Sequence, residues 1–329
     1  MRGMSRALLR FIIVIAILWT FGAVRYDGPL SSIGNLILAI AWLALLIGLL
    51  AKTWSSAKRP IILLAGLAVV VIPWLFKSPS NTRDWSPEYA RTAGAEVTGD
   101  IVTFTNFRNF DYTREGAVTE RWETRRYHLS KLRGIDFFLN FWGSELVAHP
   151  IFSFDFGDEG HVAFSIETRR EKDETFTTLG GLFKLYELIY LVGDERDFIR
   201  HRTNVREDED AYLYRLSAGP DEARERLLEY VEQIHRLSNK PRFYNVITAN
   251  CTTAIRSQLD RDGGLIPDIR LLLNGKLDEM FEDHDLFSVK DLPLDELKAR
   301  GHIDEKAMKA HNDSDFSEKI RQGVPGYEP

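Results

Sequence analysis

Three long apolar runs open the chain, at residues 8–24, 33–50 and 61–76, each about as long as a bilayer's hydrocarbon core requires. Residues 25–31, with Arg25, Asp27, Gly28 and Pro29, form a polar turn between the first two. Residues 51–60, with Lys52, Lys58 and Arg59, separate the second from the third. Arg2, Arg6 and Arg10 stand at the start of the first run, so positive charge gathers before span one and between spans two and three. That bias places those segments in the cytoplasm and sends the chain after the third run to the opposite side. Trp19, Trp42, Trp54 and Trp74 supply candidate interfacial anchors. The first run also has the basic start of a cleaved signal, although residues 21–23 lack the small outer residue of a cleavage site. The body lies outside in either case.

After a polar linker at 78–82 the pattern changes to alternation. Residues 96–107 and 122–129 read as strands, and 132–142 is apolar without a clear period. The clearest signal is a hairpin, with residues 149–156 and 161–167 alternating on either side of the turn Gly157-Asp158-Glu159-Gly160. Phe152, Phe154 and Phe156 must share a face with Val162, Phe164 and Ile166, because a slip of one residue inverts an arm. Pairing Phe156 with Gly160 satisfies this. It also sets His149 opposite Glu167, on the less apolar face with Ser153, Ala163 and Ser165.

Residues 180–192 read as a helix or a helix running into a strand, followed by a charged turn with Glu195 and Asp197. A short strand at 211–216 precedes a helix from Gly219 to Leu237, with Leu227, Leu228, Val231, Ile234 and Leu237 as its buried stripe. Residues 243–249 are rich in β-branched and aromatic residues, and Cys251 then sits in the first turn of a predicted helix closed by Gly263-Gly264. The expected organisation is a membrane anchor over 1–77, an extracytoplasmic α+β domain over 78–290, and a charged tail over 291–329 that frays near its end.

Charge divides the same way. Residues 1–80 carry eight Lys/Arg and one Asp, a net +7, whereas the remainder carries 34 basic and 47 acidic residues, a net −13. An acidic body argues against nucleic acid as its partner. The single cysteine excludes an internal disulfide.

That cysteine is also the sharpest chemical candidate. In a helix's first turn, free N–H groups and the dipole stabilise a thiolate and can receive an oxyanion, with Asn250 and Tyr244 as possible additional donors. A lone buried cysteine is equally well a small hydrophobe, so the choice depends on a base elsewhere. His149 with Glu167 opposite it supplies a base and its orienter. Six other histidines lie in charged or amphipathic surroundings, and His161, which shares the face of His149 but sits beside the turn, is expected in solvent. Arg169 shares the face of Glu167 and is a candidate for an anionic lipid head group, although residues 167–171 also fit a solvated charge run. No metal-ligand spacing and no glycine-rich phosphate loop is present, so neither metal nor cofactor is expected.

Several ordered pieces carry a resemblance. Asn106-Phe107-Arg108-Asn109-Phe110, Ala148-His149-Pro150-Ile151-Phe152-Ser153-Phe154, Ser165-Ile166-Glu167-Thr168-Arg169, Gly181-Leu182-Phe183, Tyr186-Glu187-Leu188, and Tyr244-Asn245 through Asn250-Cys251-Thr252-Thr253 resemble the Lnb N-terminal periplasmic domain family. Lnb is a bacterial lipoprotein N-acyltransferase, and the family is similar to circularly permuted papain-like thiol enzymes in which the histidine strand precedes the cysteine helix. The resemblance implies Cys251 as nucleophile, His149 as base and Glu167 as the third polar residue. It further implies an inner-membrane enzyme that takes an acyl chain from a phospholipid and passes it to an amine such as a lipoprotein N-terminus. A cysteine hydrolase acting on cell-envelope peptides and a non-catalytic membrane scaffold are the alternatives.

Overall fold

The computed structural model describes residues 2–206, 208–250, 268, 270 and 274–327, with side chains from residue 7 onward. Cys251 and the predicted helix after it lie outside the described residues. The chain forms two compact units. One comprises Met1–Ser80, Thr175–Glu187 and Phe243–Val246, and the other Asn81–Glu174, Leu188–Arg242 and Ile247–Pro329.

The first unit is built on three apolar helices, α1 (Arg2–Asp27), α2 (Ser32–Lys52) and α3 (Arg59–Phe76), each long and apolar enough to span a membrane. Between α1 and α2 the chain turns in four residues. The Asn35 side chain accepts from the Leu30 N–H and donates to the Gly28 carbonyl, while Ser31 caps α2 through the Gly34 N–H. Trp42 of α2 donates its indole N–H to the Gly66 carbonyl of α3 at 3.1 Å, and a Cβ at Gly66 would lie 2.6 Å from the Leu46 side chain of α2.

The second unit is an α+β fold around one mixed sheet. Its strands are β1 (Gly94–Thr98), β2 (Ile101–Arg108), β5 (Trp122–His128), β6 (Gly134–Trp142), β7 (Ser144–Asp155), β8 (His161–Arg169), β9 (Glu187–Asp194) and β10 (Glu209–Arg215). A small separate pair is formed by β3 (Asp111–Tyr112) and β4 (Val118–Thr119). The order across the sheet is β1-β2-β9-β8-β7-β6-β10, with β5 also pairing β2. The helices are α4 (Glu195–Arg200), α5 (Pro220–Asn239), α6 (Leu277–Asp283), α7 (Leu294–Gly301), α8 (Asp304–Lys309) and α9 (Phe316–Arg321).

Both faces of the sheet are covered. Phe137, Phe152, Phe154 and Phe164 meet Tyr230 of α5 and Phe281 of α6 on one face. Phe138, Ile151, Ala163 and Leu191 meet Ile199, Ile303, Phe316 and Ile320 on the other. Double burial explains why residues 132–142 show no period: β6 is buried from Gly134 to Phe141, so both faces of the strand carry apolar residues.

The hairpin register is the one the alternation required. Phe154 pairs Val162, Phe152 pairs Phe164, and the Phe156 N–H donates to the Gly160 carbonyl at 2.9 Å. The second face of this hairpin, however, is a second core rather than a polar surface, with Ser153, Ser165 and His149 all buried.

Elsewhere the elements differ from expectation for identifiable reasons. Residues 96–107 are two strands, because Gly99 takes φ +62° and turns the chain back with Thr98 opposite Ile101. Residues 180–192 form a short turn and then β9. Gly193 in that strand is required by close approach, since a Cβ there would lie 2.5 Å from the Arg108 carbonyl. Glu195 and Asp197 sit in α4, not in a turn, and both are buried against arginines. Residues 243–249 make isolated bridges rather than a strand. In α5 the stripe includes Ala223 and Tyr230, while Leu228 is exposed.

The largest difference is at the C-terminal end. The expected charged tail contains α7, α8 and α9, with Leu297, Ile303, Phe316 and Ile320 buried. The Ile303 N–H donates to the Ala211 carbonyl and Arg321 reaches Asp136 and Glu195, so this segment covers the outer strand β10 and closes the second core. Low apolar content concealed it because its charges are spent inward.

Candidate active site

His149 lies on β7 and Glu167 on β8, and their side chains meet on the second face of the sheet. His149 Nε2 is 2.7 Å from Ser165 Oγ and 3.1 Å from Glu167 Oε1. The Ser165 hydroxyl donates to Glu167 Oε1 at 2.7 Å. Asn140 on the adjacent strand β6 donates to the His149 carbonyl at 2.9 Å, fixing the backbone beneath the ring.

Electrostatics assigns the protons. Burial pushes the His149 imidazolium below its usual 6.5, and Glu167 only partly offsets this. Burial alone would raise the Glu167 carboxyl, but His149, Arg202 and Ser165 outweigh it and hold the group well below 4.5. An ionised carboxylate is acceptor-only, so the proton on the neutral imidazole belongs on Nε2, facing Glu167 and Ser165. The lone pair is then on Nδ1. This tautomer is what a base needs, since the acid-facing nitrogen is spent on orientation and the other is free to take a proton.

Arg202, in the π turn after α4, clamps the carboxylates. Its guanidinium donates to Glu167 Oε1 at 3.2 Å and to Glu209 Oε2 at 2.9 Å. Beside it, His201 stacks on Tyr112 with ring centroids 4.8 Å apart. Burial, together with Arg206, Arg202 and Arg108, pushes His201 down to about 3, so it is neutral at ordinary pH. Neither Arg202 nor Ser165 was assigned a role from sequence. The hairpin register already placed Ser165 on the right face, whereas Arg202 lies 35 residues from Glu167 and carries no local signal.

Three other residues were expected at the site: Asn250, Tyr244 and Arg169. Asn250 is buried in the second unit, immediately before Cys251. Tyr244 belongs to the membrane unit, where its backbone N–H donates to the Tyr186 carbonyl at 3.0 Å. Arg169 is a correction. It is buried, its guanidinium donates to Asn81, Thr92, the Tyr89 carbonyl and the Ala90 carbonyl, and it stacks 4.4 Å from the Trp85 ring. Its alternation put it on the right face, but on the inside of the fold, where it ties the segment after α3 to the sheet instead of meeting a head group.

The motif Asn106-Phe107-Arg108 is likewise architectural. Asn106 takes φ +52° in a bulge and donates to the Thr92 carbonyl. Arg108 then makes paired 2.9 Å bonds to Asp197, which also accepts from the Phe110 N–H and the Tyr112 hydroxyl. His161, expected in solvent, is largely enclosed 3.9 Å from both Asp136 and Asp155. Asp136, His161 and Glu195 bring ligand atoms within 4.8 Å of one another, but Arg321 bridges the two carboxylates and Arg215 also bonds Asp136. A guanidinium thus already neutralises the group where a cation would sit. A second such group, Asp210, His302 and Asp304, lies toward the surface.

Fold and site together define a membrane protein with an α+β domain in which a buried histidine is oriented by a serine and an ionised glutamate. Residues 118–275, which include this array and the position of Cys251, match the Lnb N-terminal periplasmic domain. No curated protein and no solved structure matches the chain.

Proposed function

We propose that this protein is a thiol acyltransferase of the bacterial inner membrane, with His149 as the base for a Cys251 nucleophile. The observation that carries the proposal is the buried His149–Ser165–Glu167 array. An imidazole held neutral, with Nε2 bound by an ionised acid, has Nδ1 available to a thiol. The match over 118–275 supports placing Cys251 opposite it in a permuted papain-like arrangement.

In this mechanism Nδ1 of His149 removes the Cys251 thiol proton, and the thiolate attacks an ester carbonyl of a phospholipid. The oxyanion is received by N–H groups at the start of the helix that the sequence predicts at Cys251, with Asn250 beside them. Collapse breaks the acyl–oxygen bond, and the lysophospholipid alkoxide leaves with the proton held by His149. An amine, here the N-terminal residue of a diacylated lipoprotein, then attacks the thioester. It yields its proton to His149, which returns it to the departing Cys251 sulfur. Anchoring in the bilayer holds the domain where both lipid substrates reside, which raises their effective concentration.

The test is capture of the acyl-enzyme. Full-length protein is incubated with labelled phospholipid and examined for an adduct that hydroxylamine releases. The expected result is a labile adduct in the wild type that is absent from Cys251→Ala and from His149→Ala. A thiol that alkylates rapidly at neutral pH but never acquires the acyl label would replace the transferase with a cysteine hydrolase. An inert thiol would leave a membrane scaffold.

A further inference from the structure

Within the membrane unit, the segment Thr175–Glu187 is fixed to one end of the helical bundle at two depths. The polar depth is marked by Asp27, which accepts from the Trp74 indole N–H at 2.7 Å and pairs with Lys77 at 3.0 Å. Lys184 joins this layer. Its backbone N–H donates to Asp27 at 3.0 Å, and its ammonium donates to the carbonyls of Trp74 and Lys77 at the end of α3.

The neighbouring residue reaches deeper. Phe183 stacks on Tyr26, with centroids 5.3 Å apart, and lies 6.2 Å from Trp19. Its ring covers Gly22, where a Cβ would come within 2.2 Å. Gly22 precedes Asp27 by five residues, about 7.5 Å along a helix axis. Phe183 therefore lies on the hydrocarbon side of the polar layer.

The same segment exposes Phe176 at 39%, Leu179 at 61% and Leu182 at 37%, a concentration of apolar surface outside the spans themselves. In water this surface would be costly. Moving it out of water is favourable in proportion to the apolar area removed.

We infer that Thr175–Glu187 is an interfacial membrane element that inserts Phe176, Leu179 and Leu182 among the acyl chains of the leaflet at the Asp27–Trp74 end of the bundle. Lipid is the occupant because the segment is anchored at hydrocarbon depth, beside spans whose own flanks expose Leu18, Leu75 and Phe76. Phe243–Val246 is carried on this element. The Tyr244 N–H donates to the Tyr186 carbonyl, and the Val246 N–H donates to the Gly181 carbonyl at 2.9 Å. The stretch that enters Asn250-Cys251 thus leaves from a lipid-inserted support. Insertion is independent of what Cys251 does.

The test places an environment-sensitive NBD fluorophore on single cysteines in full-length Cys251→Ser protein, reconstituted in phosphatidylethanolamine–phosphatidylglycerol nanodiscs. The labelled variants are Leu179→Cys, Leu182→Cys and, as a solvent-facing control, Asp221→Cys. Doxyl-labelled lipid is expected to quench positions 179 and 182, with iodide accessibility there at least severalfold below that at position 221. Iodide access equal to that of position 221 would overturn the inference. So would shielding from iodide without doxyl quenching, which would mean that protein covers the segment.

Discussion

His149 Nε2 stands 3.1 Å from Glu167 Oε1, and Ser165 Oγ is 2.7 Å from each partner. The glutamate thus holds the ring both directly and through a hydroxyl, and the two substitutions should differ in severity. With the acyl transfer above as readout, Glu167→Gln should lower kcat/KM by about 10²-fold or more, because a neutral amide no longer fixes the Nε2–H tautomer. Ser165→Ala leaves the direct contact and should cost about tenfold, the worth of roughly one hydrogen bond. The acid limb of the kcat/KM profile should lie below pH 6.5, since burial depresses His149. In Glu167→Gln it should move lower still, because the carboxylate that raises the imidazole's affinity for a proton is gone. Equal losses for the two variants with an unmoved limb would deny Glu167 this positioning role.

His201 ties stability to pH. Its folded value of about 3 lies below the ordinary 6.5, so below pH 6.5 the unfolded chain takes up a proton that the folded one refuses. The unfolded state then binds more protons, and stability falls with falling pH by up to about 1.4 kcal/mol per unit until about pH 3. Melting at pH 7 and pH 5 should show a large acid loss in the wild type and a smaller one in His201→Phe, which keeps the stack on Tyr112. Identical losses in both proteins would assign the acid sensitivity to other groups.

Asp197 answers four donors from Arg108, Phe110 and Tyr112. Asp197→Ala strands a fully buried guanidinium and should destabilise the protein by about 3–5 kcal/mol. For a domain of this size the expected fall in melting temperature is on the order of 10 °C. A shift of a degree or two would mean that Arg108 finds another partner.

Arg169→Met separates two roles for one cation. It preserves bulk against Trp85 but leaves the acceptors of Asn81, Thr92 and Tyr89 unmet, at about 1–3 kcal/mol for each that water cannot reach. Melting temperature should drop while binding to anionic vesicles stays unchanged. Loss of vesicle binding at constant stability would restore the head-group role that the sequence suggested.

Span lengths, the hairpin register and the apposition of His149 with Glu167 were all legible along the chain. Each follows from a period that burial imposes on consecutive residues: continuous apolarity in lipid, and strict alternation where an arm must keep its phenylalanines on one side. Local pattern also marked Gly157 and Gly160 as a turn. It passed over Gly99, because the strands on either side carry the same alternation.

Tertiary structure decided the rest, because charge has no period. Arg321 and Glu195 are 126 residues apart and meet in a core, so a segment that reads as a solvated tail is the lid of the sheet's second face. Arg169 reads as a surface cation and is a buried tie for the same reason. Arg202 reaches Glu167 only once α4 has turned across the sheet. The sequence alone could place a histidine opposite a glutamate, since strand geometry makes them neighbours. Whether a charged side chain faces water or another charge depends on which distant element packs over it, and only the assembled fold supplies that.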